Sequence, residues 1–275
     1  MTPGALKRRN VLQLSMSCVM AFLTVVLHLC GHAIADPIDE AATRLARAYP
    51  DFVIGRDGRD LLFKDGTRLP LDDGIPDKSH TVWLDRPDLE DIFRYPYPAA
   101  GAPAVAPERN ADPGRARPAA FFAKMYGDCR RDEVRKNLVT IDWLPRTAPA
   151  KLQVTRINGV AERLEAVSRA LDDLGPAFTK YLSPSAGTYN CRPVAGTTNP
   201  SAHGFGIAID IAVAPSHYWR WQKPLAASGP VWRNAIPLEI VAIFEQHGFV
   251  WGGRWHHYDT MHFEYRPELA RPTRP

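Results

Sequence analysis

Two short stretches of the chain carry the residue types from which a hydrolytic metal site is built. The first runs Ser201-Ala202-His203-Gly204-Phe205-Gly206 and continues as Ile207-Ala208-Ile209-Asp210-Ile211-Ala212. Its glycines oppose a helix and suit a bend that enters a strand. Past the bend, alternation puts Ile207, Ile209 and Ile211 on one face and Ala208, Asp210 and Ala212 on the other. A carboxylate among alanines is costly to bury unless it is paired or binds a metal. His203, in the bend, can turn its ring toward the same face. The second stretch is Trp255-His256-His257-Tyr258-Asp259-Thr260-Met261-His262-Phe263-Glu264-Tyr265. Here Met261, Phe263 and Tyr265 form an apolar face, which leaves His262 and Glu264 opposite. If the two strands are neighbours, His203, Asp210 and His262 converge. Two imidazoles, one carboxylate and a fourth position open to water are the ligand set of a catalytic zinc site. Asp259, three residues before His262, can take a proton from that water and return it to a leaving amine. Spacing alone leaves a second reading open, with histidines clustered by chance and a strand aspartate bonded to a neighbouring amide. The pattern is not the helix-borne His-Glu-x-x-His zinc signature.

Such a cluster needs a sheet beneath it. Thr188–Val194, Ile207–Val213 and Thr260–Arg266 are the predicted strands of the second half. Val160, Leu164, Val167 and Leu171 recur at helical steps up to Gly175-Pro176. Pro237 opens a second helix with Leu238, Val241, Ile243 and Phe244 apolar, and Gly248 closes it. The mixture predicts an α+β fold, a small antiparallel sheet with helices packed to one side. Upstream, Ala41, Leu45 and Ala48 predict a short helix over 36–49. Asp65-Gly66 predicts a hairpin between 60–64 and 67–69. From 95 to about 120, Pro96, Pro98, Pro103, Pro107, Pro113 and Pro118 forbid a regular element and predict a surface loop or linker.

Ser-x-His, six residues and Asp, followed far downstream by Asp-x-x-His-Phe-Glu, resembles a known family. It is that of the zinc D-alanyl-D-alanine carboxypeptidases and L-alanyl-D-glutamate endopeptidases of peptidoglycan, whose sheet and metal site are shared by the Hedgehog signalling domain. The resemblance spans about residues 150–268 and implies a Hedgehog-like, DD-peptidase-like fold. It implies Zn2+ held by His203, Asp210 and His262, with Asp259 as the acid–base residue. An Asp at that position is the form common in the endopeptidase branch. Arg192, in Tyr189-Asn190-Cys191-Arg192, aligns with a family arginine that resembles a carbonyl or carboxylate clamp; its other role is a salt bridge. Ser201 matches a position near the substrate carboxylate and is equally suited to a turn. Glu264 either orients His262 or makes a surface ion pair. The implied activity is hydrolysis of an amide bond in the peptidoglycan stem peptide, terminal D-Ala–D-Ala or internal L-Ala–D-Glu. The rival reading is a non-catalytic zinc-containing module that binds cell-wall peptides or a protein; it has no need of Asp259. Residues 36–150 do not match the family core.

The composition is that of an ordinary globular protein: 275 residues, 45% hydrophobic, 23% charged. It excludes collagen-like, low-complexity, disulfide-dense and multi-span membrane chains. The formal charge of +4 suggests an anionic partner, but the N-terminus alters that. Lys7, Arg8 and Arg9, an apolar run from Val11 to Cys30 and Ala33-Ile34-Ala35 make the grammar of a secretory signal peptide. Its removal after Ala35 takes three basic and no acidic residues, which lowers the charge to +1. No nucleic-acid partner is then expected, nor a stable membrane span in the mature chain. The paired arginines leave the general secretory and twin-arginine routes both open, toward a periplasmic or extracellular destination. Cys129 and Cys191 remain, and in an oxidising compartment they are expected to form a disulfide. The expected organisation is a signal peptide at 1–35, an accessory region at 36–120 and a zinc peptidase domain at 121–275. Patterning gives no subunit count.

Overall fold

A computed structural model describes Met1, residues 36–223 and residues 229–270. The predicted signal peptide lies outside the described residues. Helix α1 (Pro37–Ala48) starts where Asp36 accepts a hydrogen bond from the Ile38 amide at 3.1 Å, with Pro37 in the first turn. Its Ile38, Ala42 and Leu45 are buried. They face a three-stranded antiparallel meander, β1 (Val53–Asp57), β2 (Asp60–Phe63) and β3 (Arg68–Pro70). The hairpin predicted at Asp65-Gly66 joins β2 to β3, with Leu62 opposite Arg68. After α2 (His80–Asp85), the chain runs without α-helix or strand to α3 (Ala119–Tyr126).

The proline-rich stretch is irregular, as expected, but it is not an inert linker. Tyr97, Asp112 and Ala116 are buried in it, and its carbonyls serve side chains far downstream. Arg254 donates to the Pro103 and Ala102 carbonyls at 2.7 Å each, and Trp255 Nε1 donates to that of Pro113 at 2.7 Å. Proline removes donors, not acceptors, so such a segment is well suited to receive hydrogen bonds.

A two-stranded hairpin, β4 (Leu138–Trp143) and β5 (Ala150–Thr155), follows. Its connection is held by α4 (Val160–Asp173): Ser168 Oγ accepts from the Leu144 amide, and Asp172 accepts from the Arg146 and Thr147 amides. After α5 (Thr179–Leu182) comes the principal sheet, in which every neighbouring pair is antiparallel. It contains β6 (Ser185–Gly187), β7 (Ala208–Ala212), β8 (Phe249–Trp251) and β9 (His262–Tyr265), in the order β6-β7-β9-β8. Helix α6 (Leu238–Gln246) covers its apolar face, with Phe244 stacked on Phe263 at 3.9 Å between ring centroids. The architecture is therefore α+β with small antiparallel sheets.

One predicted strand is displaced. Pairing with β7 occurs at Ser185–Gly187, whereas 188–194 leaves the sheet. The reason is local competition for its amides and carbonyls. Asn190 N donates to the His203 carbonyl, Ser201 N donates to the Arg192 carbonyl, and Pro193 has no amide to give a ladder. The segment is bound to the loop that carries His203 instead. The Cys129–Cys191 disulfide, with Cα atoms 5.7 Å apart, fixes it from the other side.

Among the described residues no helix is long and apolar enough to cross a membrane.

Candidate metal centre and its cavity

β7 and β9 are hydrogen-bonded neighbours, and Asp210 stands directly opposite His262. Alternation puts both on the face turned away from Phe263 and α6. His203 reaches that face from a 3-10 turn, Ala202–Phe205, entered through Ser201, whose hydroxyl accepts from the His203 amide at 3.4 Å. Gly206 ends the turn at φ +70°, and a Cβ there would lie 3.1 Å from the Thr155 amide nitrogen. Only glycine lets the chain turn into β7 at that point.

The three predicted ligands meet. Asp210 Oδ1 lies 3.2 Å from His203 Nε2 and 2.9 Å from His262 Nδ1, and the two ring nitrogens are 3.2 Å apart. A tetrahedral zinc with bonds near 2.0–2.1 Å sets its ligand atoms about 3.3 Å from one another. The outer ring nitrogens show which lone pairs face inward. His203 Nδ1 is bound to the Thr188 carbonyl, an acceptor only, so this nitrogen carries the proton. His262 Nε2–H donates to Glu264 at 3.1 Å. Both neutral rings therefore turn lone pairs toward the Asp210 carboxylate. Three acceptors around one point require a positive charge between them, a proton or a metal ion, so the donor set fits zinc.

Behind His262, both Glu264 and Arg266 are fully buried and Arg117 is nearly so. Glu264 is held by Arg117, with Nη2 at 2.7 Å, and by Arg266 at 2.9 Å. Of the two readings of Glu264, orientation of His262 is therefore the one the packing shows. Burial raises the Glu264 carboxyl, but Arg117, His262 and Arg266 outweigh it and hold it well below the usual range.

Asp259 lies beside the triad. Its Oδ1 is buried with no hydrogen-bond partner among the described residues. Burial first, and then the Asp210 charge, push its carboxyl up to about 6. A carboxylate so placed is a ready proton acceptor, which is the chemistry predicted for it. It shares with the triad a cavity of about 250 Å³ whose wall also includes Arg115, Arg192, Tyr218, Trp255 and His257. Arg192 is exposed and, among the described residues, bonds only its neighbour's carbonyl, that of Pro193, at 3.5 Å. It makes no salt bridge among the described residues. Ser201 serves the turn and also lines the cavity.

Two clusters escaped sequence reasoning. His80 Nε2 and His257 Nδ1 both approach Asp112 Oδ2, at 2.9 and 2.8 Å. Here the outer nitrogens have no acceptor among the described residues, so each ring can place its proton on the nitrogen facing Asp112. The group is satisfied by hydrogen bonds. Burial raises the Asp112 carboxyl, but the bonds from His257 and His80 override it and hold the group far below its ordinary range. The proline setting of Asp112 hid it. Elsewhere, a wider cavity of about 620 Å³ beside α1 is lined by Asp72, Asp88 and Asp91. Its acidic groups surround the buried Lys78, which binds Asp73, Asp88 and Asp91 at 2.6–2.9 Å.

The family model for D-alanyl-D-alanine carboxypeptidase matches residues 195–265, the stretch that holds the triad and Asp259. Residues 195–265 are thus similar to this family of peptidases. The match leaves outside it Arg192, the disulfide and the whole segment that supplies Arg115 and Arg117. No curated protein and no solved structure matches the chain.

Proposed function

We propose that this chain is an exported zinc peptidase that hydrolyses an amide bond in the stem peptide of peptidoglycan. The observation that carries the reading is the pairing of three inward-facing acceptors with the buried, unpartnered Oδ1 of Asp259 in one cavity. His203, Asp210 and His262 would hold the metal. Zinc so held supplies Lewis acidity, which makes water nucleophilic near neutral pH and polarises a carbonyl. Asp259 accepts the proton of the attacking water at its free Oδ1, then donates it to the departing amine nitrogen as the C–N bond breaks. Arg192 faces the cavity with unused N–H donors and can bind the oxygen on which charge develops. Glu264, through His262, and Thr188, through His203, keep both rings in the tautomer that metal binding requires.

The same reading groups the four-stranded sheet with that of the Hedgehog signalling domain. Asp at position 259 favours the endopeptidase branch, cutting L-Ala–D-Glu rather than D-Ala–D-Ala. The leader at 1–35 supports export to the periplasm or beyond. Digestion of defined muropeptides, followed by mass, tests the proposal. Zinc-loaded protein is expected to release one fragment, chelation to abolish release, and added zinc to restore it. Asp259→Ala is expected to lose 10²- to 10⁴-fold in rate with zinc content unchanged. A zinc-bound protein that binds muropeptides without turnover would instead be the non-catalytic module.

A further inference from the structure

The irregular segment before α3 lies outside the family match, yet it sends two guanidinium groups to the catalytic cavity. They are engaged very differently. Arg117 is committed to Glu264, with Nε 2.9 and 3.1 Å from its two oxygens and Nη2 at 2.7 Å. Arg115 has a side chain only 14% exposed and, among the described residues, a single hydrogen bond, Nη1 to Asp112 Oδ2 at 3.4 Å. That oxygen already accepts from His80 and His257 at distances near 2.9 Å, so both of its lone pairs are taken. Arg115 gains little there. Its guanidinium carbon instead lies over the Trp255 ring, 5.6 Å from the centroid, which holds the group in place without using its donors.

An arginine largely buried, oriented by an aromatic face and left with most of its five donors unused, is built to receive a planar anion. We propose that Arg115, oriented by Trp255, binds a second free carboxylate of the substrate, distinct from the reacting carbonyl that Arg192 faces. The proposal rests on the peptidase reading and narrows its substrate to acidic stem peptides. Neutral peptides and peptides amidated at that carboxyl are bound poorly.

A binding cycle tests this separately from catalysis. Stem peptides are prepared with the D-Glu α-carboxyl free or amidated, and with the third-residue side-chain carboxyl free or amidated. Affinities are measured by calorimetry on the zinc-loaded full chain in the Asp259→Ala background, which prevents turnover. One of the two amidations is expected to weaken binding roughly 10- to 100-fold. Adding Arg115→Gln is expected to remove that discrimination while leaving affinity for the amidated peptide and zinc content unchanged. Arg115→Lys, which keeps the charge but not the fork, is expected to recover part of it. Equal weakening of acid and amide by Arg115→Gln, or no discrimination before the substitution, overturns the proposal. If the discrimination holds but protein with Asp259 intact releases no product, the peptidase reading fails and the carboxylate site stands.

Discussion

At the scale of single residues, the convergence of Asp210 and His262 was legible because β-strand alternation is a strict rule. It placed Asp210 and His262 on one face before any neighbour was known, and the register then set them opposite each other. The sequence could not show what holds each ring, because Thr188 and Arg117 come from distant, irregular stretches. Those partners have a consequence that can be measured. In the metal-free chain burial lowers the His262 imidazole, but the carboxylates of Asp210 and Glu264 overcome this and raise it to about 9. The ring is then protonated at pH 7, and that proton occupies the place a metal takes. Because the folded value lies above the unfolded one, the imidazolium stabilises the metal-free fold fully below about pH 6.5, and the effect is lost as pH rises through about 9. Metal binding has the opposite dependence, since the proton must leave. The apparent zinc affinity is expected to rise close to tenfold per pH unit between pH 7 and 9 and then level off. Competition titrations with a chelator of known pH behaviour measure it; a flat profile would show that His262 binds as an already neutral ring.

At the scale of elements, α1, α4, α6 and the two central strands followed from periodicity, whereas the short helices α2, α3 and α5 did not, and three further features show why other parts were hidden. The 188–194 run has the composition of a strand, but its hydrogen bonds go to the His203 loop. The β4–β5 hairpin was unread although Val139, Ile141 and Trp143 alternate with Thr140 and Asp142, a pattern open to discovery in the sequence. Asp112 was hidden because nothing local marks a proline-flanked aspartate as buried. Its cluster and the His203–Asp210–His262 triad contain the same residue types, and what stands behind each ring decides their chemistry. Behind His203 and His262 are acceptors that force lone pairs inward; behind His80 and His257 there are none among the described residues. Arg115 also puts a positive charge 3.4 Å from Asp112, which opposes a cation. The full chain is therefore expected to bind one zinc. His80→Ala should leave that content at one, and His203→Ala should abolish it. Elemental analysis finding a second zinc that His80→Ala removes would refute the distinction.

At the scale of the molecule, residues 36–120 and the segments in and beside the four-stranded sheet are joined by buried charge and not by surface contact alone. Tyr49 donates to Glu268 at 2.6 Å, Tyr97 donates to Glu245 at 2.8 Å, and Arg117 clasps Glu264. In the other direction, Arg254 and Arg266 donate to carbonyls between Ala102 and Ala116. Removing the first region would strand several buried groups at once, and a buried charge left without its partner costs about 3–5 kcal/mol. That loss is comparable to the whole stability of a domain, about 5–15 kcal/mol. Residues 121–275, which the sequence suggested as a peptidase domain in their own right, are therefore expected not to fold alone. Thermal unfolding followed by circular dichroism should show one cooperative transition for residues 36–275 and none for 121–275. Adding residues 36–120 as a separate chain should restore some zinc binding if the two parts can still find each other. A shortened protein that melts cooperatively and binds zinc with full affinity would show that the first region only recognises substrate. The packing of Arg117 against Glu264 argues that it also builds the metal site.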